Sequence, residues 1–157
     1  MAAFTLLTGL QAMAAEGLTT LRSSHGPKET MDRLEADAKG RGLTIFARID
    51  HAAGAAQVGM PLRPTEVLIF GNAKGGTPLM QAMQTIGIDL PLRALVWQDA
   101  SGTTWLSYND PSWLAKRHGL GPDVAPAVGT LARVVDALAK AATASPGPVP
   151  GATATAR

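Results

Sequence analysis

The chain has 157 residues, of which 46% are hydrophobic and 17% charged. That length and apolar content favour one self-supporting domain and exclude a globally disordered chain. There is no cysteine, so disulfides, thiolate metal sites and cysteine nucleophiles are excluded. A formal charge of +2 with no run of Lys or Arg gives a poor footprint for nucleic acid. His25, His51 and His118 leave little room for a zinc site, so no metal is assigned and no cofactor is identified.

Residues 2–14, AAFTLLTGLQAMA, are apolar and uncharged. They are too short to span a bilayer, for which about 20 residues are needed. Ala12-Met13-Ala14, followed by Ala15-Glu16, is a small-x-small cleavage pattern. Residues 1–14 therefore read as a signal peptide and the protein as periplasmic or secreted. No Lys or Arg precedes the apolar run; if 1–14 is an ordinary helix instead, the protein is cytoplasmic.

Leu18 to Ser23 reads as a strand. Pro27 suits a first helical position, and Glu29 and Asp32 suit the positive end of a helix. Met31, Leu34 and Ala38 then fall on one helical face, and Gly40 and Gly42 end it. Leu43, Ile45, Ala47 and Ile49 alternate with Thr44, Phe46, Arg48 and Asp50, which predicts a strand with an aliphatic inward face. Residues 51–58, HAAGAAQV, form an Ala-rich turn or short helix. Pro64 opens a strand from Thr65 to Phe70, ended by Gly71. Thr77 or Gly76 caps the next helix, with Pro78 at its first position and Leu79, Met83 and Ile86 on one face. Leu90 to Gln98 and Thr103 to Tyr108 form a hairpin about the Asp99–Gly102 turn. Pro111 opens a short helix. A last helix runs from Val124 to Ala141 with Leu131, Val134, Val135 and Leu138 in its stripe. One domain over 18–141 and a disordered Ala/Pro/Gly-rich tail over 142–157 complete the organisation. The tail is expected to be dispensable for stability. The hairpin requires antiparallel pairing, and an α+β sandwich with helices on one sheet face follows.

The segments ARIDHAAGAAQVGMPLRPTEVLIFGNAKGGTPLMQ, IDLPLRALVWQD and GTTWLSYNDPSWLAKRH resemble the DUF302 family, also called TT1751-like. The resemblance spans about residues 22–118. It implies a fold similar to the TATA-box-binding-protein-like β-α-β(4)-α arrangement and carries no established biochemical function. Relatives usually have Pro after the Asn of Asn72-Ala73-Lys74, so the Ala here leaves that loop less pinned.

Asp50 and His51 end the cleanest strand and suggest a general acid/base pair, with Asp89 as a second acid. Adjacent strand residues point to opposite faces, however, and Asp50 serves equally well as an N-cap of the 52–58 segment. Gly71, Asn72, Lys74, Gly75, Gly76 and Thr77 lie between a strand and a helix. They suggest an anion site built from loop amides, an ammonium and a helix N-terminus. The order of Lys and Gly is not that of a P-loop. If the two strand ends share an edge, Lys74 would hold an anion near His51. Tyr108 and Asn109 sit in an aromatic corner with Trp105, Asp110 and Trp113, which either lines a pocket or covers a sheet edge. Three function classes follow: a binding or sensing domain for a small anionic or aromatic ligand, an enzyme using His51 with an Asp, and nucleic-acid binding by fold analogy alone, which the charge disfavours. Leu95, Trp97 and Trp105 on the hairpin predict a homodimer through the open sheet face.

Overall fold

The computed structural model describes residues 15–145. The proposed signal segment 1–14 and most of the proposed tail, 146–157, lie outside the described residues. Five strands form one antiparallel sheet in the order β1-β5-β4-β3-β2. They are β1 (Leu18–Arg22), β2 (Thr44–Asp50), β3 (Thr65–Gly71), β4 (Leu92–Gln98) and β5 (Thr104–Asn109). The helices are α1 (Pro27–Gly40), α2 (His51–Gln57), α3 (Ala73–Ala82), α4 (Pro111–Arg117) and α5 (Ala125–Thr143). This is the expected α+β arrangement.

The core lies between one sheet face and the pair α1 and α5. Leu68 and Phe70 of β3, Leu92, Ala94 and Val96 of β4, and Leu106 and Tyr108 of β5 are buried there against Met31, Leu34, Ala38, Val135, Leu138 and Ala142. Met31, Leu34 and Ala38 occupy the helical face that their spacing predicts. Pro27 is the first residue of α1, as its lack of a donor favours.

β2 departs from its apparent alternation. The register slips between Ile45 and Ala47, with Ile45 opposite Phe70 and Ala47 opposite Ile69. A bulge at Phe46 therefore reverses the strand's faces halfway along. Leu43 and Ile45 pack on the core, but Ala47 and Ile49 turn to the open face, where Ile49 is 42% exposed. Arg48 and Asp50 take the inward side instead. The single aliphatic face expected for this strand is thus corrected. Arg48 meets Glu66 with its Nε and Nη2, and Asp32 (2.8 Å) and Glu35 (3.0 Å) with Nη1. The bulge makes this clamp between α1 and the sheet possible.

α3 begins four residues before the expected cap. Asn72 accepts from the Gly75 amide at 2.7 Å and caps Ala73, so the glycine-rich stretch is already helical and Pro78 lies inside the helix. Ala73 is the first helical residue and is not part of a loose loop. The helix ends at Ala82, and Met83 is extended and 37% exposed, so it leaves the face that Leu79 and Ile86 bury.

α5 runs two residues past Ala141, into the start of the expected tail. Ala142 and Thr143 are buried. The Thr143 and Ala144 carbonyls accept from the Ser24 amide (2.9 Å) and from His25 Nε2 (2.7 Å). A cut after Ala142 would delete these ties; a cut after Ser145 would keep them.

Candidate functional site

Antiparallel pairing decides which candidate residues meet. Phe70 pairs with Leu92, and Ala94 pairs with Tyr108. The exit of β3, the entry of β4 and the exit of β5 therefore share one end of the sheet. Gly71 to Thr77, Asp89, Tyr108 and Asn109 gather there. Asp50 instead pairs with Glu66 at the entry of β3, so Asp50 and His51 lie at the opposite end, about 20 Å away along a seven-residue strand. The shared edge expected for His51 and Lys74 does not exist, and His51 has no Asp89 beside it. His51 is the exposed first residue of α2. Asp50 caps that helix, accepting from the Ala53 amide at 2.9 Å.

Asp89 has a different histidine. Its Oδ2 lies 2.6 Å from His118 Nε2, and Arg117 Nη1 donates to Oδ1 at 3.3 Å. The His118 and Asp89 side chains are only 9% and 13% exposed. Thr85 Oγ1 is 3.2 Å from His118 Nδ1 and exposed to solvent. With Nε2–H donating to the carboxylate, Nδ1 is the lone pair that accepts the Thr85 proton. Hydroxyl, imidazole and carboxylate thus form a continuous relay from solvent to a nearly buried acid. Asp89 follows the 3₁₀ turn Gln84–Ile88, and His118 ends α4, whose N-terminus Asp110 caps by accepting from Ser112.

At the same end, a cavity of about 250 Å³ opens between α3, α5 and the sheet. Leu43, Phe70, Leu92, Leu131 and Val134 wall it, while Asn72, Lys74, Gly75 and Thr130 supply its polar rim. Among the described residues, the ion-paired lysines are Lys28, Lys39 and Lys140, which leaves Lys74 and Lys116 without a carboxylate partner; of these two, Lys74 lines the cavity. Gly75 is tightly enclosed: a Cβ there would lie 3.2 Å from both Asn72 Oδ1 and Leu131 Cδ2, so these side chains would have to shift slightly to admit it. Gly71 packs against Pro91 and Gly76 near Leu90, so neither faces the cavity freely. Thr77 opens on a shallow hollow beside Met80 and Met83. Tyr108 is 6% exposed and belongs to the core, where burial and then the nearby Asp136 raise its phenol above the ordinary value. Asn109 is exposed.

A larger hollow, about 460 Å³, lies at the opposite end beside Lys28, Arg48, Asp50 and Glu66. Its charged groups already have partners: Arg48 spends its donors on Glu66, Asp32 and Glu35, Lys28 meets Asp32, and Asp50 accepts from the Ala53 amide. The smaller cavity has the unmatched cation.

A family model described as "Domain of unknown function DUF302" matches residues 19–138. The chain belongs to the DUF302 family. A crystal structure titled as an uncharacterized conserved protein DUF302 from Bacillus stearothermophilus shares the fold, with a TM-score of 0.73 at 21% identity, covering 82% of this chain and 99% of the other. "Fluoride-specific ion channel FluC 1" of Brucella suis biovar 1 (strain 1330) is 55% identical over 105 residues, 67% of this chain and 41% of that protein. "Fluoride-specific ion channel FluC 1" of Brucella abortus biovar 1 (strain 9-941) is likewise 55% identical over 105 residues, 39% of its own length. The DUF302 chain thus spans about two-fifths of the curated relatives it matches. Among its described residues, no helix is long and apolar enough to cross a membrane.

Proposed function

We propose that this DUF302 chain binds a small organic anion, with a carboxylate at Lys74 and a short hydrocarbon or aromatic body in the adjoining cavity, and that it acts as a sensing domain. The observation that carries this reading is the unpaired Lys74 ammonium beside a cavity walled by Leu43, Phe70, Leu92, Leu131 and Val134. An apolar wall with a few convergent polar groups is the usual make-up of a small-molecule site, and about 250 Å³ suits a ligand below drug size. The first turn of α3 adds its helix-terminal partial charge on the same side.

The Brucella relatives support sensing over free-standing binding. Their printed name is that of a fluoride channel, yet three-fifths of each lies outside the match. The matched portion is one part of a longer protein in those relatives, and we read it as a domain joined to the part that carries the channel name. Bare fluoride has no hydrocarbon to fill the apolar walls, so an organic carboxylate is the better occupant.

Calorimetry with benzoate, hexanoate and fluoride tests this. Benzoate or hexanoate should bind the full chain with an affinity between about 0.1 and 1 mM, and Lys74→Gln should weaken it at least tenfold, about 1.4 kcal/mol, without lowering the melting temperature. Saturable fluoride binding with no carboxylate binding would overturn the assignment.

The Thr85–His118–Asp89 relay favours a second reading, an enzyme. It moves the proposed histidine from His51 to His118. In that reading Thr85 Oγ passes its proton to His118 Nδ1 and attacks an ester carbonyl. The C–O bond to the leaving alcohol then breaks as that oxygen takes the proton, and water frees the acyl group from Thr85. Hydrolysis of p-nitrophenyl acetate about 10²-fold above buffer, abolished in Thr85→Val, would support it. Release unchanged in Thr85→Val would make the relay a structural tie between α4 and the turn before β4.

A further inference from the structure

The sheet face away from α1 and α5 carries a continuous apolar surface that the described chain leaves half-covered. Register places Leu95 and Trp97 of β4, Val67 and Ile69 of β3, Trp105 of β5, and Ala47 and Ile49 of β2 on it. None of these seven is buried, and Ile49 is 42% exposed. The bulge at Phe46 enlarges this face, because it delivers Ala47 and Ile49 to it and removes Arg48.

Its polar atoms are already satisfied from within. Trp97 Nε1 donates to Ser107 Oγ at 2.9 Å, and Ser107 exchanges a further bond with Thr20 at 2.8 Å. Trp105 Nε1 donates to Asp99 Oδ2 at 2.8 Å. Asp99 also accepts from the Ser101 hydroxyl and from the Thr103 and Ser101 amides. Those bonds, the Ser101 hydroxyl first and the Trp105 indole next, bring its carboxyl down to about 2. The two indoles stack with centroids 6.1 Å apart and planes 24° from parallel. The tryptophans therefore present ring surface held in place, with no donor that a dry contact would strand.

We infer that a second copy of this chain covers this face in a two-fold, sheet-on-sheet dimer. Three observations favour a copy of itself. The first is size. Five strands about 4.8 Å apart and about seven residues long make a face of about 24 Å by 24 Å, which side-chain relief brings near the ~800 Å² per partner of a stable interface. The second is polarity. The charged residues that register places on the face are Arg22 at the end of edge strand β1 and Arg93 near the start of β4. Both lie toward its margins, so apposed copies keep an apolar centre and a polar rim. The third is shape. Sheets stack face to face about 10 Å apart, and an isologous contact supplies the same twist and the same apolar centre from both sides.

Sedimentation of the full chain at tens of micromolar tests the inference together with two variants. The wild type should sediment as a dimer, and its melting temperature should rise with protein concentration. Leu95→Lys, at the centre, and Ile49→Lys, at an exposed position where folding tolerates charge, should both sediment as monomers with unchanged circular dichroism. A monomeric wild type would overturn it. A dimer that Ile49→Lys and Leu95→Lys both leave intact would place the contact elsewhere and overturn it equally.

Discussion

Replacing Arg48 by Met should destabilise the protein by about 2–4 kcal/mol at pH 7, and clearly less at pH 4, as read from denaturant midpoints. Removing one partner of a fully buried charge network costs about 3–5 kcal/mol, and Arg48, 28% exposed, falls somewhat short of that case. The variant leaves Glu66, Asp32 and Glu35 facing one another with their shared cation gone. Asp32 lies below its ordinary value because of Lys28 and then Arg48, and Glu35 because of Lys39 and then Arg48. Glu66 first, then Asp32 and Glu35, raise the Arg48 guanidinium. A carboxylate lowered by folding contributes stability above its unfolded value, here the ordinary 3.8 for Asp32 and 4.5 for Glu35. That contribution fades as the pH falls through the lowered folded value. The wild type therefore weakens below about pH 4.5. In the variant, Asp32 and Glu35 keep Lys28 and Lys39, whereas Glu66 loses its cation; the same acidification relieves that carboxylate, so the gap between the two narrows. An equal loss at both pH values would mean that Arg48 acts by packing alone.

Phe70→Ala should cost about 3–5 kcal/mol, and Phe70→Leu about a third of that or less. Phe70 heads the fully buried side chains by volume, with no exposed surface. Its ring is shared between the core over β3 and the wall of the Lys74 cavity. Loss of the ring removes apolar burial and leaves a void, which together should lower the melting temperature by roughly 10–20 °C for a domain of this length. A loss below about 1 kcal/mol would mean that the helices over β3 collapse into the space at little cost.

Much of the fold was legible because local signals and long-range pairing agree. Met31, Leu34 and Ala38 form one helical face by spacing alone, and the hairpin about Asp99–Gly102 forces antiparallel order. β2 was misread for a physical reason. Thr44 to Asp50 alternates without a flaw, and nothing local marks Phe46 as the bulged residue; only pairing with β3 shows it. α3 was misread because Gly75 and Gly76 resemble a loop and Pro78 resembles a helix start, whereas the Asn72 side chain caps the helix earlier. The site was legible in part. Asn72, Lys74 and Gly75 stand in a strand–glycine–helix pattern, and the structure sets all three on the rim of one cavity. The histidine beside Asp89 is His118 and not His51, and the hairpin itself held the clue: it returns the chain from Tyr108 to the level of Leu92, so the helix after Pro111 begins beside Asp89. Placing His118 at that helix's end, with its ring turned to Asp89, needed the packing of α4.

A heteronuclear NMR titration of the full chain with benzoate tests the central claim most directly, because it reports where the anion sits as well as whether it binds. The account predicts saturable shifts at the amides of Asn72, Ala73, Lys74 and Gly75 and across the cavity at Thr130 and Leu131, with none at His51. Shifts centred on Asp50 and His51, or no saturable shift at millimolar benzoate, would contradict it.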